Sequence, residues 1–151
     1  MGNPKRFYDT YGLDVSICLF SGIPNHVGLG VNTTNTTGRR TDGTSTLTDI
    51  FSGDDVPGEV SLDDPYNTDS HKQCTTIKTT SEQDKTIQDY INRHIADPGN
   101  YNLYSRSCVD FVRDILRKEL GMNLSNTDLP SNFYHEVDDT INPVDDDDFG
   151  F

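Results

Sequence analysis

The chain has 151 residues, a formal charge of −13 and 32% hydrophobic residues, with no tryptophan. That length holds one domain with one modest core. The acidity excludes sequence-independent nucleic-acid binding, which needs clustered Lys and Arg, and suits solubility, a basic partner or a neutral substrate reached through a local cleft.

Residues 1–13 are polar and turn-rich, with Asn3-Pro4 and Tyr11-Gly12, and read as a linker. They lack the apolar stretch of a signal peptide, and Arg6 stands where myristoylation wants Ser or Thr. No run of about 18 apolar residues follows, so no transmembrane helix is expected. The chain is expected to be made in the cytoplasm and carried if it acts elsewhere.

Val15, Ile17 and Leu19 alternate with Asp14, Ser16 and Cys18, which predicts a strand. Gly22, Pro24 and Asn25 predict a turn. A second strand covers His26–Asn32. Val27, Leu29 and Val31 share one face; His26, Gly28, Gly30 and Asn32 share the other. The two glycines leave room for an approach to the imidazole. Residues 33–58 read as a polar, mobile loop holding a short turn at Leu47–Phe51. Glu59–Leu62 is a short strand candidate, 63–73 another loop, and Cys74–Thr79 a β-prone segment.

At Thr80 the period changes. Thr80 with Gln83, or Ser81 with Asp84, resembles a helix N-terminal box. Ile87, Tyr90, Ile91 and Ile95 then recur at helical spacing until Pro98-Gly99. A second helix runs from Ser107 to Leu120, with Cys108, Val112, Ile115, Leu116 and Leu120 on one stripe and Gly121 as its stop. A short helix is expected around Ser131–Val137. Asp145–Asp148 read as a solvated acidic tail. The boundaries are thus a linker at 1–13, a domain at 14–142 and a tail at 143–151. The class is α+β, an antiparallel sheet packed against helices.

Three cysteines, Cys18, Cys74 and Cys108, make an odd, sparse set that argues against a disulfide scaffold. No CxxC pair exists, so no structural zinc is expected. One thiol is left as a reactive candidate and two as buried, inert groups. Cys108 stands out by position. A helix N-terminus presents unpaired N–H groups and partial positive charge, which favour a thiolate. The same groups at Ser107–Cys108 can hold an oxyanion, and Arg106 beside them adds positive charge. A cysteine hydrolase also needs a base and a group that orients the base. His26 fits the first role. Asn32 on its face, Glu59 on the next strand, or His135 fits the second. The plain alternative makes Cys108 a core residue and His26 a structural histidine. His71, in a loop, and His94, at a helix end, are weaker candidates. Asp54-Asp55, Asp63-Asp64 and Asp145–Asp148 fit no EF-hand loop, and no glycine-rich phosphate loop is present. No metal and no cofactor are expected.

His26-Val27-Gly28-Leu29-Gly30-Val31 resembles the "H-V-G-I-x-V" strand of the circularly permuted papain-like superfamily, which includes NlpC-type peptidases and the lecithin retinol acyltransferase family. Ser107-Cys108-Val109-Asp110-Phe111-Val112 resembles its "N-C-x-x-F-V" nucleophile helix, with Ser107 where Asn is usual. The order, His strand before Cys helix, is the permuted one. Asn3–Leu13 resembles the end of an Rhs-repeat core, "N-P-x-R-F-x-D-P-x-G-L", with Thr10 where Pro is usual. That resemblance implies cleavage after Leu13 and release of a variable toxin tip of bacterial competition. Together the resemblances imply an NlpC-type fold, Cys108 as nucleophile and His26 as base. They also imply peptidoglycan peptides as substrate, delivery by a type VI secretion system into a target cell, with the periplasm favoured, and a cognate immunity protein. Two alternatives stay open. One is an acyltransferase or deamidase acting on a cytosolic protein or lipid. The other is a binding module with a decayed site.

Overall fold

The computed structural model describes residues 13–22 and 25–143. The linker expected at 1–13, apart from Leu13, and the tail beyond 143 lie outside these residues.

In chain order the elements are β1 (Asp14–Phe20), β2 (His26–Val31), β3 (Arg39–Thr41), α1 (Leu47–Phe51) and β4 (Val56–Val60), then a 3-10 turn at Pro65–Thr68. β5 (Gln73–Lys78), α2 (Ser81–Ala96), β6 (Asn100–Tyr101), α3 (Cys108–Leu120) and α4 (Pro130–Ile141) complete the molecule. It is a mixed α+β arrangement of antiparallel sheets packed against helices. One sheet has the order β2-β1-β5, the other β3-β4-β6. The sheets are stitched together at Leu29 and Thr37, whose backbones exchange two 2.9 Å hydrogen bonds.

β1 is central, and its alternating Val15, Ile17 and Leu19 meet Val27 and Leu29 of β2 in the core. Ile87 and Ile91 of α2, Phe111, Val112, Ile115 and Leu116 of α3, and Phe133 and Val137 of α4 cover that face. These are the helical stripes the sequence displays, each apolar once per turn. α2 starts at a capping box of Thr80 and Gln83, so the first of the two possible boxes is the one used. α3 starts at a box of Ser107 and Asp110 and ends at Gly121, whose left-handed φ of 63° suits glycine. No helix among the described residues is long and apolar enough to cross a membrane.

Two expectations need correction. The segment read as loop at 33–58 contains β3, α1 and most of β4, and the strand expected at 59–62 is β4 at 56–60. β3 is three residues long with two arginines, and β4 carries Pro57 and Gly58. Such strands have too little apolar alternation to be read locally; they are held by pairing with each other. The second correction concerns cysteine. Cys18 and Cys74 form a disulfide, which leaves Cys108 as the free thiol. They face each other directly across β1 and β5, a juxtaposition that count and spacing do not reveal.

The bridge joins residues 56 apart in sequence. Closing a loop of that size stabilises the fold by about 2–4 kcal/mol. Reduction is expected to lower the denaturant midpoint accordingly. An unchanged midpoint in excess dithiothreitol would show that strand pairing alone holds β5.

Candidate active site

His26 opens β2, paired with Phe20 at the end of β1. This places it at the turn end of the hairpin, on the same cavity as the first residue of α3. The space beside Gly28 and Gly30, expected to admit a ligand, is filled by the chain itself. A methyl group at Gly28 would overlap the Thr36 side chain, and one at Gly30 the Thr33 carbonyl. Gly38 belongs to the same returning segment. A methyl group there would stand 3.4 Å from His26 Nε2, so a bare backbone passes close to the ring.

The ring is held from three sides. Nε2 lies 2.7 Å from Asp64 Oδ2, and both residues are buried, at 4% and 1% exposure. Asp64 caps the 3-10 turn, its Oδ1 accepting from Tyr66 N at 3.0 Å. One carboxylate oxygen thus fixes the turn and the other meets the imidazole. Tyr66 stacks on the ring, with centroids 4.0 Å apart and planes 11° from parallel. Asn67 braces the turn from behind, its amide bonding the Thr36 carbonyl at 3.0 Å and accepting from Thr36 N at 2.9 Å. On the third side stands Cys108, which lines the same cavity and favours the doubly protonated ring. With Nε2 committed to Asp64, Nδ1 is the nitrogen left for sulfur.

Burial opposes charge on the ring. The hydrogen bond to Asp64 and its negative charge, with the Cys108 sulfur nearby, outweigh it and lift His26 from 6.5 to about 9. At neutral pH the ring therefore carries its second proton. Cys108 is the first residue of α3 and is 5% exposed. The first-turn N–H groups of a helix have no carbonyl one turn back to bond. That of Val109 goes to Ser107 Oγ at 3.2 Å, and Ser107 N donates to Asp110 Oδ2 at 2.8 Å. Ser107 is thus the cap of the helix that carries the thiol. Burial pushes the Tyr66 and Tyr101 hydroxyls up, so both stay neutral donors beside the site.

Cys108 and His26 line a cavity of about 490 Å³ with Tyr66, Tyr101, Arg40 and the α1 residues Leu47, Ile50 and Phe51. Cys108 also lines a smaller cavity of about 230 Å³, walled by Phe51, Leu103, Leu129 and Pro130. The thiol is shared by both clefts, so a chain-like substrate has room on either side of it.

The structure brings His26 and Cys108 together; it does not bring Asn32 or Glu59 to them. Asn32 shares a strand face with His26, but six residues of extended chain put it about 20 Å away. Its Oδ1 instead accepts from Asp14 N at 3.0 Å, and its φ is 60°. Glu59 is exposed and pairs with Arg40 at 3.5 Å. Arg106 does not reach the thiol with its charge: its Nε donates to the Asn100 carbonyl at 2.9 Å and its Nη2 lies against Gly99. His135 is exposed against Tyr134, His94 stacks on Tyr90, and His71 pairs with Asp69 on the surface. Asp64 is the residue the sequence reading missed as the ring's partner. Among the described residues no group of three metal-ligating side chains gathers.

No protein-family model matches the chain, and neither a curated protein nor a solved structure matches it.

Proposed function

We propose that the domain is a cysteine hydrolase that cleaves an amide bond through a thioester. The carrying observation is one buried imidazole between a buried carboxylate and the free thiol at a helix start, open to a cavity. His26 holds the proton that Cys108 gives up, and sulfur attacks the carbonyl carbon. The oxyanion is met by the backbone N–H of Cys108, the first-turn donor of α3 that the Ser107 cap does not take. The imidazolium then gives its proton to the departing amine as the C–N bond breaks. Water, deprotonated by the same ring, splits the thioester and restores the thiol. Asp64 fixes the ring orientation and offsets its charge throughout.

The His strand lies before the Cys helix, as in circularly permuted papain-like domains of the NlpC type, and this supports that finer reading of the fold. With the Rhs-like segment before Asp14, it supports a secreted antibacterial effector that has a cognate immunity protein. The Cys18–Cys74 disulfide favours an oxidising compartment such as the periplasm. Peptidoglycan peptides are the substrate this reading selects.

The test is expression in bacteria with and without a periplasmic signal, as wild type and as Cys108→Ala. Growth arrest by the periplasmic wild type alone, with new free amines in the cell wall, is expected. Arrest that survives Cys108→Ala ends the thiol mechanism. Arrest only from the cytoplasm moves the substrate to a cytosolic protein or lipid, and absence of arrest in either compartment favours a binding module.

A further inference from the structure

We infer that Arg40 is the anion-reading group of the cavity, selecting a substrate with a carboxylate near the scissile amide. This deepens the thiol-hydrolase reading and rests on it. Arg40 stands in β3 opposite Glu59 of β4. Its side chain is only 16% exposed, and it lines the cavity that holds His26 and Cys108. Tyr66, the ring stacked on His26, lines the same cavity.

The guanidinium is under-used. Nη2 reaches Glu59 Oε2 at a long 3.5 Å. Nη1 is shut off from solvent and has no acceptor. A buried charged donor without an acceptor is costly. A fold that keeps one in the wall of the cavity that holds the nucleophile gains where the side chain turns to a ligand that supplies the acceptor.

The chemistry of that ligand follows from the fork. A planar guanidinium matches a carboxylate through two parallel hydrogen bonds. Glu59 already offsets part of the charge, which suits a singly charged group better than a doubly charged phosphate. Arg39 lines the same cavity, but its guanidinium lies over the Phe111 ring at 5.4 Å. On a chain of net charge −13 an anionic substrate also needs a local cation to draw it in.

The probes are chloroacetyl-glycine, chloroacetyl-β-alanine and chloroacetyl-γ-aminobutyrate, each with its carboxamide. All alkylate cysteine and differ in how far the carboxylate reaches. The expected result is that at least one acid labels Cys108 about tenfold faster than its own amide, the scale of one charged hydrogen bond. Arg40→Met should collapse that ratio, and Arg40→Lys, which keeps charge but loses the fork, should restore part of it. Continued labelling by the amides shows that each variant retains its site. Equal rates for every acid and amide pair, or a ratio unchanged in Arg40→Met, overturns the inference and leaves the thiol mechanism standing. Amides that fail to label wild-type Cys108 overturn the thiol mechanism, and this inference falls with it.

Discussion

At pH 6.5 iodoacetamide is expected to alkylate Cys108 roughly tenfold faster than a simple model thiol, and His26→Ala to abolish the advantage. An ordinary thiol, with a pKa near 8.5, is only about 1% thiolate at that pH. In the proposed mechanism the His26 imidazole holds the proton that sulfur gives up, a help the model thiol lacks. The gain stays below a hundredfold because Cys108 is nearly buried. The measurement is clean, since the disulfide leaves Cys108 as the free thiol among the three cysteines. Mass spectrometry of the intact chain counts one adduct. Labelling at the rate of the model thiol, with His26→Ala unchanged, would reduce the site to a core cysteine beside a structural histidine.

Asp64→Asn is expected to lower hydrolysis by about a hundredfold to ten-thousandfold, the range seen when a triad carboxylate is neutralised. The substitution is nearly isosteric, and the Asn oxygen can still accept from Tyr66 N, so the 3-10 turn survives. What is lost is the negative charge on Nε2. Burial then dominates, and the His26 ring gives up its second proton at lower pH. Stability reports the same event. His26 has its folded value raised from 6.5 to about 9. Its contribution is therefore complete below about pH 6.5 and fades as pH rises through about 9. In Asp64→Asn that alkaline loss shrinks, because less is there to lose. Asn32→Ala, at the far end of β2, should leave the labelling rate within about twofold, since neighbouring effects do not carry over such distances. Activity retained in Asp64→Asn would return the orienting role to another group.

The sequence made the helices and the nucleophile position legible because their signals are local. An N-terminal box at Thr80 marks α2, and an apolar stripe with a closing Gly121 marks α3, each within the helix it describes. The β1–β2 hairpin was legible for the same reason, through alternation over Val15–Leu19 and Val27–Val31. The region between 33 and 73 was not. Apart from a short turn at Leu47–Phe51 and a strand expected at 59–62, it reads as polar loop, yet it supplies β3, α1, β4, the Asp64 carboxylate, the Tyr66 stack and Arg40. These groups are assembled by long-range pairing, Leu29 with Thr37 and Thr36 with Asn67, which leaves no periodic trace in the chain. Asp64 had one local sign. An Asp directly before Pro65 is a turn starter whose carboxylate caps the next backbone N–H groups. Nothing nearby indicates that its second oxygen is turned toward an imidazole 38 residues earlier. Asn32 misled because strand alternation fixes a face and says nothing of distance along it. The disulfide escaped for a related reason, because strand register decides which cysteines meet.

The account stands on a proton shared between sulfur and imidazole, and nitrogen-15 NMR of the His26 ring reads it directly. Titrated from about pH 5 to 10, the wild-type ring should stay doubly protonated through neutrality, with a midpoint near 9, and Cys108→Ala should move that midpoint to lower pH. A wild-type midpoint at or below the ordinary 6.5, unmoved by Cys108→Ala, would contradict it.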